Sequence, residues 1–162
     1  MLSVRKLNLT PENIKFLFAK FRQSAEAFTD ELPDDIVAFT IWIGTMPVVM
    51  EFGPEDAPIG VLLFDSVMQG LGGNCHVLLW DRSGDYKELL KATRIALSAT
   101  MKAYSLMRVS CMIPEGNETT KIFASHVGFR QEGLIHKAAL KDGEPVNALI
   151  YGILPEWMDM VE

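Results

Sequence analysis

The turn Asp81-Arg82-Ser83-Gly84-Asp85-Tyr86-Lys87 gathers the side chains best able to do chemistry: a guanidinium, a hydroxyl, an ammonium and carboxylates around one glycine. Arg82 and Ser83 can serve a phosphate, with Lys87 in support, and Gly84 lets a ligand approach the backbone closely. Asp85 repels an anion unless it caps the helix that follows, which is the ordinary role of Asp at such a position. Cys75 and Cys111 are the only cysteines, each within a strand-like apolar run, and read as buried reduced thiols. With three scattered histidines and no cysteine pair, zinc-ligand spacing is absent and no metal is expected. His76 and His126 read as structural residues.

Hydrophobic spacing predicts the elements that must position these residues. Residues 2–8 are strand-like. Thr10 stands before Pro11 and Glu12 as an N-cap followed by Pro in the first turn. Ile14, Leu17, Phe18, Phe21, Ala25 and Phe28 then recur on one helical face. Residues 30–46 form a second helical region whose bounds the sequence does not give. The runs 48–52 and 59–64 flank Gly-Pro-Glu-Asp-Ala-Pro as a hairpin, and a third run, 75–80, follows Gly70, Gly72 and Gly73. The longest helix signal spans 86–104, with Tyr86, Leu90, Thr93, Leu97, Met101 and Tyr104 as its inward stripe. A strand over 108–113, a short helix near 117–127 and strands over 129–140 and 144–154 complete the chain. Asp142-Gly143 between the last two suits a tight primed turn.

Strands and helices alternate only in the second half, after an antiparallel meander, which excludes a doubly wound pattern. The expectation is an α+β fold, one domain over residues 1–162, whose mixed, mostly antiparallel sheet of about seven strands is covered by about four helices.

Composition narrows the function classes. The 162 residues are 49% hydrophobic and 22% charged, the balance of a globular protein with a substantial core. Asp and Glu outnumber Lys and Arg by 21 to 15 with no basic block, so nucleic acid is not an expected partner. The first residues lack a basic n-region and a continuous apolar run, and no apolar stretch is long enough to span a bilayer. A cytoplasmic protein with no membrane partner is expected. The acidic balance fits a cationic partner.

One stretch carries a family resemblance. Asn117-Glu-Thr-Thr120, seven residues, then Gly128-Phe129-Arg130-Gln131-Glu132-Gly133 resembles the pattern Asn-x-x-Ser…Gly-Phe-x-x-Glu-Gly of the GNAT N-acyltransferases, in particular the RimJ/RimL-like subgroup. The tail from Asp142-Gly143 through Asn147 to Trp157 resembles that subgroup's closing strand, and the order of elements extends the likeness to most of the chain. Structural reasons exist for the same residues: Gly128-Phe129 as a helix C-cap with an apolar anchor, Glu132-Gly133 as a strand bulge.

The resemblance implies an N-acetyltransferase that moves an acetyl group from acetyl-CoA to a primary amine by direct attack. The acceptor would be a protein N-terminus, a lysine or a small amine. The pantetheine arm would pair with the backbone edge at Leu78, Leu79 and Trp80, where a backbone N–H would polarise the thioester carbonyl. The pyrophosphate would sit on the turn Arg82, Ser83, Gly84, Asp85 and Tyr86, which keeps one glycine of the family pattern and is shorter than it. Asn117 matches a position that contacts the CoA arm, and it is equally placed to cap its helix. Thr120 holds the place of the subgroup's catalytic hydroxyl. Two family positions differ: Ala124 stands where many members have a Tyr, and Ala139 where a Glu acts as base. Glu51, or Asp81 through a water, is the expected substitute base. Acceptor choice would fall to the first helix and residues 30–46, with Trp42, Met46 and Met50 lining an acceptor groove, a homodimer face or the core. Because of the alanines and the shortened turn, two other uses of the fold stay open: a binding or structural module without catalysis, and a module that holds acyl-CoA without turnover.

Overall fold

Residues 1–158 are described by the computed structural model. The chain opens with β1 (Leu2–Lys6) and enters α1 (Pro11–Gln23), where the Thr10 hydroxyl accepts the Asn13 N–H at 3.2 Å. Pro11 stands in the first turn, which needs no N–H from it. Leu17 and Phe21 on the predicted stripe are fully buried. A 3₁₀ turn (Ala25–Ala27) then leads to α2 (Ile36–Gly44), the helix whose bounds the sequence hid. It is apolar nearly all round: Phe39 and Ile43 are buried while Val37 and Ile41 are exposed. No single face therefore stands out from the sequence. Its start is Asp35, whose Oδ1 accepts the Val37 and Ala38 N–H groups at 2.9 Å.

The meander follows as β2 (Val48–Pro54), β3 (Gly60–Met68) and β4 (Gly72–Leu79), with β1 paired antiparallel to β2. β4 begins earlier than the sequence implies, because Gly72 and Gly73 lie inside it. A Cβ on Gly72 would sit 2.9 Å from Arg108 Cγ, and one on Gly73 would sit 2.7 Å from Phe64 Cδ1. These glycines are required by close packing and do not punctuate a turn.

α3 (Tyr86–Ala103) is the long helix, but its inward stripe is rotated from the predicted one. Leu89, Ala92, Thr93, Ala96, Leu97, Thr100 and Met101 are buried, whereas Tyr86 is exposed and Leu90 and Tyr104 are half-buried. Small residues and two threonines serve the packed face. Their hydroxyls bond back to the Leu89 and Ala96 carbonyls at 2.9 and 2.8 Å and so need no water. β5 (Arg108–Pro114), α4 (Glu118–Val127), β6 (Arg130–Lys141) and β7 (Glu144–Ile153) complete the domain, and the short α5 (Pro155–Met158) adds one helix to the expected count.

The seven strands form one sheet in the order β1-β2-β3-β4-β5-β7-β6. Only β4 and β5 run parallel. Hydrophobic clusters cover both faces: Phe64, Leu97 and Ile153 lie on the α3 side, and Phe21, Phe39 and Leu63 lie under α1 and α2. Asp142 and Gly143 take φ of 52° and 78°, the left-handed pair of a primed turn. Glu132 is the extra residue of a bulge between Gln131↔Tyr151 and Gly133↔Ile150, as the Glu-Gly pair implied.

Candidate functional site

β4 and β5 are paired at three positions, Gly72↔Arg108 to Asn74↔Ser110, and then separate. β5 meanwhile stays paired with β7 through Pro114↔Ala148. The sheet therefore forks. A cleft of about 830 Å³ lies in the fork, walled by β4, β5, the starts of α3 and α4, the segment after α1 and the end of α2.

The alternation of antiparallel hydrogen bonds decides which backbone groups face this cleft. Trp80 N–H donates to the Ile59 carbonyl at 3.0 Å, so residues 80, 78 and 76 turn their polar groups to β3. Val77 and Leu79 then point theirs at the fork. The Leu79 carbonyl accepts from Arg82 Nε at 3.4 Å, as that orientation requires. Leu78 contributes its side chain to the cleft, and Trp80 contributes nothing there. The expectation for Trp80 is corrected: its indole N–H donates to the Pro58 carbonyl at 2.7 Å and its ring stands edge-on to Phe16 at 5.3 Å, away from the fork.

In the turn before α3, Asp81 accepts the Ser83 N–H at 2.9 Å and the Ser83 hydroxyl at 2.6 Å. Hydrogen bonding from that hydroxyl and then from the N–H holds the Asp81 carboxyl below its ordinary range. Ser83 is thus occupied and does not line the cleft, nor does Asp85, which caps α3 by accepting the Lys87 N–H at 3.1 Å. Arg82, Gly84 and Tyr86 do line it. The Tyr86 hydroxyl is 2.8 Å from His126 Nδ1, which ties the start of α3 to the end of α4.

Across the cleft, Asn117 caps α4 by accepting the Thr120 N–H at 3.3 Å, and its Nδ2 donates to the Ala27 carbonyl at 3.2 Å. Thr120 lines the cleft with no described hydrogen bond on its hydroxyl. Ala124 and Ala139 line it too, so the two positions that differ from the family pattern face the site with methyl groups.

Glu51 is the second correction. It is buried on β2, two strands from β4, paired with Arg5 on β1, and does not border the cleft. A carboxylate held in an ion pair elsewhere does not share a site with Thr120. Trp42 and Met46 line the cleft, whereas Met50 packs with the α3-side cluster.

Two further groups escaped the sequence. Asp65 Oδ2 lies 2.9 Å from His76 Nε2 and accepts from Asn74 Nδ2 at 2.7 Å, and both Asp65 and His76 border the cleft. Burial pushes the Asp65 carboxyl up, but hydrogen bonds from His76 and Asn74 outweigh it and hold the group below its ordinary range. The only sequence signal was parity: residues 74, 76 and 78 share one face of a strand. Cys75 and Cys111 also border the cleft. Burial pushes both thiols up, Cys111 to about 12, so they stay protonated as the sequence implied. Among the described residues no group of three or more His, Cys, Asp or Glu is placed to hold a metal, and no helix is long and apolar enough to cross a membrane.

The wall after α1 is fastened by the tip of the β6–β7 hairpin. Asp30 accepts the Asp142 and Gly143 N–H groups at 2.9 and 2.8 Å, while Lys141 Nζ donates to the Glu26 and Phe28 carbonyls at 2.7 and 2.6 Å. Replacing Asp30 with Ala removes two charge-assisted bonds and is expected to cost about 1–3 kcal/mol of local stability. Faster hydrogen exchange at Asp142 and Gly143 than in the wild type, with the core amides unchanged, is the measurement that reads it.

No family model matches this sequence. The translation factor GUF1 homolog, mitochondrial, of Sorghum bicolor is 34% identical over 108 residues, which is 63% of this chain and 16% of that protein. The chain therefore spans a small part of the curated relative it matches. Solved structures match nearly end to end. Spermidine N-acetyltransferase from Vibrio cholerae, in complex with CoA and spermine, aligns with a TM-score of 0.77 at 12% identity, covering 97% of each chain. RimL, the ribosomal L7/L12 alpha-N-protein acetyltransferase in complex with coenzyme A, aligns at 0.75 and 12% identity over 94% of this chain and 93% of that one. Mycobacterium smegmatis RimJ in complex with CoA-disulfide aligns at 0.73 and 16% identity over 96% and 82%. The seven-stranded, mostly antiparallel forked sheet of this chain is the GNAT acyl-CoA N-acyltransferase fold.

Proposed function

We propose that this protein transfers an acetyl group from acetyl-CoA to a primary amine, on a protein N-terminus, a lysine or a small molecule, by direct attack of the amine on the thioester. The fork carries this reading: an unpaired strand edge at Val77 and Leu79 opens beside a helix N-terminus, inside a cleft of about 830 Å³. The likeness to acetyltransferases crystallised with CoA supports it.

The residues fit a pantetheine thioester with a diphosphate. Val77 and Leu79 offer N–H and C=O groups to the amide-bearing arm in the manner of an added strand. Arg82, Gly84 and Tyr86 surround the position for the diphosphate at the start of α3, where the helix dipole favours negative charge. The Leu79 N–H faces the fork, where it would polarise the thioester carbonyl. When bound, the thioester supplies an activated acyl group with a thiolate leaving group. The Thr120 hydroxyl, with no described hydrogen bond, would donate to that sulfur.

Isothermal calorimetry with acetyl-CoA, followed by amine screening, tests the reading. Micromolar binding with transfer supports it. Thr120→Ala should then lower turnover by about a hundredfold to ten-thousandfold, the range of one positioned proton donor, with acetyl-CoA affinity unchanged. A second reading, a module that binds acyl-CoA without turnover, is favoured by Ala124 and Ala139 in the cleft wall. Binding without transfer to any amine is its signature. No binding at millimolar acetyl-CoA would leave the fold as a scaffold.

A further inference from the structure

The cleft opens on both faces of the sheet. On β4, Cys75, Val77 and Leu79 belong to the α3-side cluster and Leu78 to the cluster under α1 and α2, so His76, in phase with Leu78, lies on the α1–α2 face. With the diphosphate end at α3, an acceptor amine enters from the other face, past His76.

Asp65 is built to hold that imidazole. It is the extra residue of a bulge between Phe64↔Cys75 and Ser66↔Asn74, and such bulges re-aim a side chain. Its Oδ2 stands 2.9 Å from His76 Nε2, and Asn74 Nδ2 at 2.7 Å fixes the same oxygen. An ionised carboxylate only accepts, so Nε2 carries a proton, and in the neutral imidazole the lone pair is then on Nδ1. No described hydrogen bond engages Nδ1. The His76 side chain is 32% exposed, which leaves it reachable from the cleft.

We propose that His76 is the general base of the transfer, with Asp65 as its positioning residue. The assignment rests on the acyl-transfer reading above. The amine nitrogen forms a bond to the acyl carbon, and the carbon–sulfur bond breaks with its electron pair going to sulfur. The surplus proton on nitrogen passes to His76 Nδ1, and sulfur takes a proton from the Thr120 hydroxyl, which is resupplied by solvent. A lone pair on the outer ring nitrogen can take the proton that the attacking amine sheds. Asp65 on β3, in contact with His76 Nε2, stabilises the imidazolium that forms. Glu31 and Arg82 also border the cleft, and Cys111 on β5 stays neutral.

Imidazole ¹⁵N shifts of His76 are the first readout, because they need no acceptor. A protonated Nε2 with a bare Nδ1 at pH 8, lost in Asp65→Asn, is expected; a proton resident on Nδ1 in the wild type would overturn the assignment. Steady-state transfer from acetyl-CoA to spermine and to a peptide with a free N-terminal alanine follows. His76→Gln keeps an amide donor for Asp65, and circular dichroism checks its fold. Its kcat should fall about a hundredfold with acetyl-CoA affinity unchanged, and its pH profile should differ from that of the wild type, with partial rescue by added imidazole. Unaltered kcat and pH profile in His76→Gln would overturn the base. Absence of acetyl-CoA binding by the wild type would instead overturn the acyl-transfer reading and this assignment with it.

Discussion

Gly84→Asp is expected to weaken acetyl-CoA binding by at least about a hundredfold while leaving the thermal midpoint unchanged. The geometry separates the two effects. A Cβ on Gly84 would meet nothing within 4 Å, and its φ is not in the left-handed region, so an aspartate fits without strain. The Lys87, Glu88 and Leu89 N–H groups already bond to Asp85. The N–H groups of Gly84, Asp85 and Tyr86 carry no described hydrogen bond and stand free at the α3 N-terminus for an anion. A carboxylate there would repel each charge of a diphosphate bound at this turn by about 3 kcal/mol, taking a separation on the order of 5 Å and an effective dielectric of 20. Each 1.4 kcal/mol is about tenfold in affinity. Gly84→Asn has nearly the same volume without the charge and should lose far less. Calorimetry on both variants reads the difference, and undiminished affinity in Gly84→Asp would put the diphosphate elsewhere.

What the sequence made legible was local chemistry. Thr10, Asp85 and Asn117 each cap the helix that follows, Asp142-Gly143 takes the left-handed backbone of a primed turn, and each does in the structure what its type demands. The order of elements followed from these signals and from apolar periodicity, which is why the fold class could be read. The α2 helix was harder because its apolar residues surround the axis, so only Asp35 marks it. The α3 stripe rotated because Ala92, Ala96 and Thr100 share its packed face with Leu89, Leu97 and Met101, while Tyr86, Leu90 and Tyr104 fall outside it.

The site was legible where it uses one segment and hidden where it uses two. Arg82, Gly84, Tyr86, Asn117 and Thr120 belong to helix starts and do border the cleft. Glu51 was chosen as a carboxylate on a strand near the acceptor side, but β2 lies two strands from β4 in the sheet, and there Glu51 pairs with Arg5 on β1. Trp80 was lost to strand alternation, since its N–H turns into β3. The Asp65–His76 pair depends on a bulge whose position no residue type announces. Registers and bulges join segments whose separation carries no periodic signal, so such pairings become visible only once the sheet is built.

The fork itself rests on a packed seam, and Phe64→Ala should open it. Phe64 is fully buried in the α3-side cluster, opposite Cys75 in the register, with its ring over Gly73. Gly73 in turn pairs with Val109 in the closed base of the fork, so the ring, the glycine and the last β4–β5 rungs form one packed unit. Truncating the ring should cost about 3–5 kcal/mol in chemical denaturation. Gly73→Ala alone places a Cβ 2.7 Å from Phe64 Cδ1 and 2.9 Å from the Ser66 carbonyl, and should cost about 1–3 kcal/mol through the shifts it forces. In the double variant the ring clash is gone and the carbonyl clash remains. The double variant should therefore lose less than the sum of the two single losses, by about 0.5–3 kcal/mol, the range of residues in contact. Strict additivity would mean that the Ser66 carbonyl alone excludes a side chain at Gly73. The Phe64 ring would then have no part in closing the base of the fork.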